Sequence, residues 1–108
     1  MNEAHFLVHI SDRAIESLDS IFEYISNKTS PESARKVVDE LISFAESLDR
    51  YPNRFPKEKY QTPSNLNIRS GIKWKYKILY EVWEERVIIL DFFHTAQNPT
   101  RINDLLDE

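Results

Sequence analysis

Residues 71–83 read GIKWKYKILYEVW. Lys73, Lys75 and Lys77 stand at alternate positions, interleaved and followed by Trp74, Tyr76, Ile78, Tyr80 and Val82. Successive side chains of a β-strand point to opposite faces. The alternation predicts a strand from Trp74 to Trp83, with an aromatic face for a core and a basic row turned away from it. A one-residue slip would bury three ammonium groups, so the register is strongly specified.

The flanking stretches extend this strand into a sheet. RVIILDFFH (86–94) is apolar on both alternating faces, which predicts a central strand covered on both sides. Glu84 and Glu85 lie between the two strands as a turn. On the other side, LNIRSGI (66–72) predicts a strand from Asn67 to Ile72. It follows YPNRFPKEKYQTPSN (51–65), which Pro52, Pro56 and Pro63 mark as a loop.

The N-terminal half has a different period. Phe6, Val8 and Ile10 alternate as a short first strand. Ser11 and Asp12 offer cap oxygens to a helix whose apolar residues Ala14, Ile15, Leu18, Ile21, Phe22 and Ile25 recur every three or four positions. A second helix starts at Ser30-Pro31-Glu32, where proline lacks an N–H that would be unsatisfied anyway and glutamate meets the positive end of the dipole. Its stripe is Ala34, Val37, Val38, Leu41, Ile42, Ala45 and Leu48. The order is β-α-α-β-β-β, an α+β fold in which an antiparallel sheet carries an N-terminal helix hairpin on one face. TRINDLLD (100–107) reads as a short closing helix.

The 108 residues fit one domain spanning the chain, and no cysteine is present for disulfide, thiol or Cys–zinc chemistry. No basic-then-apolar leader and no run of roughly 20 apolar residues is seen, so a soluble cytoplasmic protein with no membrane partner is expected. Neither histidines nor carboxylates show ligand spacing, so no metal and no cofactor is expected. The net charge of −4 hides a segregation of sign: residues 50–77 hold eight basic side chains and only Glu58 as an acid, a net +7, against −11 elsewhere. Such a segment attracts an anionic partner. Arg69, Lys73, Lys75, Lys77, Lys57 and Lys59 are its candidate contacts, although lysines on a strand also serve solubility and edge protection.

Three stretches then carry a family resemblance. DRAIESLDSIFEYISNKTSPESARKVVDELISFAESLDRYPNRFP (12–56), IRSGIKWKYKILYEV (68–82) and IILDFFHTAQNP (88–99) are similar in order and spacing to the RelE/ParE superfamily of toxins from bacterial type II toxin–antitoxin modules, the plasmid stabilisation proteins. The resemblance implies a toxin neutralised by a cognate antitoxin with an acidic, partly disordered segment, as a homodimer or a toxin–antitoxin hetero-oligomer. The RelE-like branch cleaves mRNA on the ribosome without a metal, whereas the ParE-like branch inhibits DNA gyrase by binding.

Metal-free RNA cleavage needs cations for the phosphorane, a base for the 2′-hydroxyl and an acid for the leaving oxygen. Arg69, Lys73 and Lys75 are the candidate cations, one lysine doubling as base, and His94 is the candidate acid. Two departures from the nuclease branch stand against that set. Ala96 occupies a place where relatives often carry arginine, and TRINDLLDE (100–108) has neither the tyrosine nor the histidine common near their C-terminus. The expectation is a ParE-like inhibitor. A RelE-like mRNA endonuclease is the alternative, and a degenerate, non-toxic member that keeps the fold and antitoxin binding is the third reading.

Overall fold

The computed structural model describes residues 5–58, 63 and 65–96. Their order is β1 (Leu7–Ile10), α1 (Asp12–Lys28), α2 (Pro31–Glu46), two single 3₁₀ turns (Ser47–Asp49 and Pro52–Arg54), β2 (Ile68–Lys73), β3 (Tyr76–Trp83) and β4 (Arg86–His94). The closing helix expected at 100–107 and the contact expected of Lys59 lie outside the described residues.

Both helices begin where their caps predict. Ser11 has extended backbone and its Oγ accepts the Ala14 N–H at 3.1 Å. Ser30 does the same for the Ser33 N–H at 3.1 Å, with Pro31 in the first turn. Each such cap is worth about 1 kcal/mol. Thr29 ends α1, its N–H and hydroxyl both donating to the Ile25 carbonyl. Only Thr29 and Ser30 join the helices, so the two fold back as a hairpin. Ala14, Ala34 and Ala45 are fully buried, as are Leu41 and Leu48. Burying a leucine contributes roughly 2 kcal/mol, so these two anchor the second helix and the turn after it. Ile15, counted in the apolar stripe, is instead exposed.

The sheet runs β1-β4-β3-β2. β2, β3 and β4 form the expected antiparallel meander. β1 corrects the expectation of a wholly antiparallel sheet, because it lies parallel to β4, with Val8 opposite Val87 and Ile10 opposite Ile89. Parallel neighbours need a long crossover, and here everything from α1 to β3 supplies it. β4 is central, as its two apolar faces require. Val87, Ile89 and Phe92 pack with Leu18, Leu41, Ala45, Ile78 and Tyr80 under the helices, while Phe93 joins Ile68 and Leu79 in a second cluster on the other face.

Two local features shape the sheet. The β3–β4 register shifts between Leu79, opposite Asp91, and Tyr80, opposite Ile89, leaving Leu90 as the extra residue of a bulge. The bulge lies beside Asp91, whose buried carboxylate accepts from the Ser17 hydroxyl of α1 and from the Phe92 N–H. The second feature corrects the opening strand. Trp74 and Lys75 form a two-residue turn, with Lys73 paired to Tyr76 and Trp74 at φ 56°. Strand alternation cannot continue through a turn, so Lys73 shares the helix-side face with Tyr76, and Trp74 leaves the aromatic row for the surface.

Candidate functional site

Arg69 sits in β2 opposite Tyr80. Its Nη1 donates to the Phe55 carbonyl at 2.6 Å and the Asn53 carbonyl at 3.2 Å, and its Nε donates to Asn67 Oδ1 at 3.0 Å. Beside it the fully buried Tyr80 donates its hydroxyl to the Pro52 carbonyl at 2.6 Å. Burial pushes the Tyr80 hydroxyl up to about 12, against the opposing pull of Arg69 and Arg54. The proline-rich loop is thereby stapled to the sheet edge, with Lys57 bridged to Arg69 and the Glu58 N–H donating to the Ile68 carbonyl. Arg69 spends these donors on the protein's own groups, two backbone carbonyls and the Asn67 side chain.

The lysines do not form one row. Lys73 Nζ lies 3.6 Å from a Glu40 carboxylate oxygen of α2 and 4.9 Å from the centre of the Trp74 ring. Lys77 points to the opposite face, where its Nζ lies 3.0 Å from Glu58 Oε1; that oxygen also accepts the Ser70 hydroxyl at 2.9 Å. Lys75 is exposed in the turn, and its carbonyl accepts the Thr95 N–H. Two of the three alternating cations are thus neutralised by carboxylates of the same chain.

His94 ends β4 opposite Tyr76, their rings edge-on with centroids 5.5 Å apart. Its Nδ1 accepts the Ala96 N–H at 3.1 Å, which leaves Nε2 to carry the proton of the neutral ring. The ring lines a cleft of about 650 Å³ between α1 and the β3–β4 end, with Ser17, Ser20, Tyr24, Tyr76 and Ala96 around it. Desolvation, and then the neighbouring Tyr24, raise the Tyr76 hydroxyl above its ordinary value. Sequence reasoning passed over Glu40, Glu58, Ser17 and Tyr24. Tyr24 had a usable signal, since it lies seven positions after Ser17 on one helical face.

The model of the ParE toxin of the type II toxin–antitoxin system parDE matches residues 8–99. The chain belongs to the ParE toxin family. No curated protein matches it in sequence. Among solved structures it is similar to a chain of the chromosomal ParDE system from P. aeruginosa, with a TM-score of 0.71 and 18% identity over 84% of this chain and 97% of that one. It is also similar to a chain of the toxin–antitoxin complex RelBE2 from Mycobacterium tuberculosis, with a TM-score of 0.64 and 19% identity over 89% of this chain and all of that one. At these identities the likeness is one of fold.

In this ParE-family chain the candidates among the described residues occupy three places. Arg69 is level with Tyr80, four residues along β3 from Tyr76, hence roughly 13 Å from the rung that holds Lys73 and His94. Lys77 is on the other face. Only Lys73, Lys75 and His94 gather at one end, joined through Tyr76 and the Thr95–Lys75 hydrogen bond.

Proposed function

We propose that this protein is the toxin of a type II toxin–antitoxin module and that it stops growth by binding an essential target, DNA gyrase, rather than by cutting RNA. The observation that carries this reading is the neutralisation of its cations. A phosphorane needs positive charge held ready for it, yet Lys73 and Lys77 face Glu40 and Glu58, and Arg69 donates to carbonyls. An arrangement of this kind stabilises a folded binding surface. A cognate antitoxin with an acidic segment is the natural neutralising partner, because it adds carboxylates to the basic edge around Lys57 and Lys75. The solved relatives come from systems of that kind.

One observation favours the RelE-like alternative. His94 offers a proton on Nε2 at the same end of the sheet as Lys75, as an acid beside a phosphate would. The test is to express the protein in growing cells and follow plasmid supercoiling and amino-acid incorporation together. Supercoiling failing first supports gyrase inhibition. Translation failing first, with supercoiling intact, overturns it.

A further inference from the structure

We propose that the cleft between α1 and the β3–β4 end binds a small organic cation, an alkylated ammonium held among aromatic rings. Its first support is the lining. The rings of Tyr76 and His94 stand at 81° to one another and form two walls. Tyr24 adds a third wall, and Phe92, 1% exposed, closes the bottom. The cleft holds about 650 Å³, within the range of small-molecule sites. The face of an aromatic ring attracts a cation, and groups of such rings are how quaternary ammonium ligands are recognised.

Charge is the second support. Among the described residues, no lysine or arginine lines the cleft. Glu16, Asp19 and Glu23 run along α1 as one exposed ridge beside the cleft residues Ser17, Ser20 and Tyr24. None of the three has a basic partner among the described residues. An uncompensated ridge of one sign raises the local concentration of the opposite ion. The chain itself shows the attraction, since Lys28 Nζ lies 5.6 Å from the centre of the Tyr24 ring.

The lining also sets the kind of cation. Desolvation, and then Tyr24, raise the Tyr76 hydroxyl, as expected where water is scarce. The ridge carboxylates stand outside the lining rather than within it. A primary ammonium would give up its water for few acceptors there. An alkylated ammonium holds its water weakly and takes its contacts from ring faces. A nucleic acid or an acidic peptide would meet the ridge as a like charge. The site is independent of which target the toxin inhibits.

An amide NMR titration of the full-length protein tests the proposal, with acetylcholine as the probe and its neutral isostere, in which carbon replaces the nitrogen, as the control of equal shape. Acetylcholine should give saturable shifts at Ser20, Tyr24, Tyr76 and His94, with a dissociation constant in the millimolar range or below. The neutral isostere should bind about fivefold more weakly or worse. Tyr24→Ala should weaken acetylcholine by about fivefold, whereas Tyr24→Phe keeps the ring and should not. The position is exposed, so both variants should fold. Lys28→Gln is the discriminating variant. It removes the chain's own cation from the Tyr24 ring, so acetylcholine should bind about two- to fivefold more tightly, while an acidic ligand would bind less well. The proposal is overturned by the absence of saturable shifts, by shifts centred elsewhere, or by equal affinity for the neutral isostere. It is also overturned if folded Tyr24→Ala binds unchanged, or if Lys28→Gln fails to tighten acetylcholine.

Discussion

The ammonium of Lys77 lies 3.0 Å from Glu58 Oε1, on the sheet face away from the helices, and the Ser70 hydroxyl donates to the same oxygen. The pair joins β3 to the proline-rich loop across β2. Only 8% of the Glu58 side chain is exposed, so water screens this contact less than an ordinary surface ion pair. Glu58→Gln should cost about 1–2 kcal/mol of stability, the range of a hydrogen bond to a charged group less some screening. Urea unfolding of the variant checks this, and an unchanged midpoint would mean that the contact adds nothing.

Arg69 should behave as a staple. Lysine at this position keeps the charge but cannot reproduce the fork that meets Phe55, Asn53 and Asn67 together. Arg69→Lys should destabilise the protein by about 1–3 kcal/mol, because it strands carbonyls in a partly buried place. Amide hydrogen exchange should quicken first at Glu58 and Ser70, the backbone donors that tie the loop to β2. Exchange unchanged there would remove the staple from the account.

What was legible in the sequence was local. Ser11 and Ser30 announce their helices because a cap acts on an N–H three residues away. The doubly apolar 86–94 stretch announces a central strand because burial on two faces leaves no other composition. The turn at Trp74-Lys75 was hidden, since neither residue is one that a positive φ selects. The parallel pairing of β1 was hidden for another reason: its partner lies beyond both helices, and short alternation carries no direction. The pairing of the lysines was hidden for the same kind of reason, because Glu40 and Glu58 become neighbours of Lys73 and Lys77 only after folding.

Ser17 and Asp91 couple α1 to the bulge in β4. A buried carboxylate that loses a hydrogen-bond donor pays in desolvation, so Ser17→Ala should cost about 1.5–3 kcal/mol despite the small change in volume. Ser17→Ala combined with Asp91→Asn should be less destabilising than the sum of the two single changes, as expected for residues in contact. A double-mutant cycle by urea denaturation measures the difference, and strict additivity would contradict the coupling.

Tyr80 gives the protein a weakness to alkali. Its hydroxyl titrates at about 12 in the folded chain, against 10.0 for an ordinary tyrosine. The unfolded chain therefore releases this proton first. The contribution to stability is complete below pH 10 and is lost as the pH rises through about 12. Tyr80→Phe should cost about 1 kcal/mol near neutrality through the lost bond to the Pro52 carbonyl. It should also flatten the fall in melting temperature between pH 10 and 12. An identical alkaline fall in both proteins would assign it to other groups.

The claim that this ParE-family chain inhibits by binding is tested most directly on purified translating ribosomes. The protein is added to a defined mRNA, and the 3′ ends of the RNA are mapped with the parent chain and with His94→Ala. The account predicts no cleavage that depends on the protein, with the two chains indistinguishable. Discrete mRNA fragments produced by the parent and lost by about 10²–10⁴-fold in rate in His94→Ala, the loss expected for a general acid, would contradict it and make the protein a nuclease.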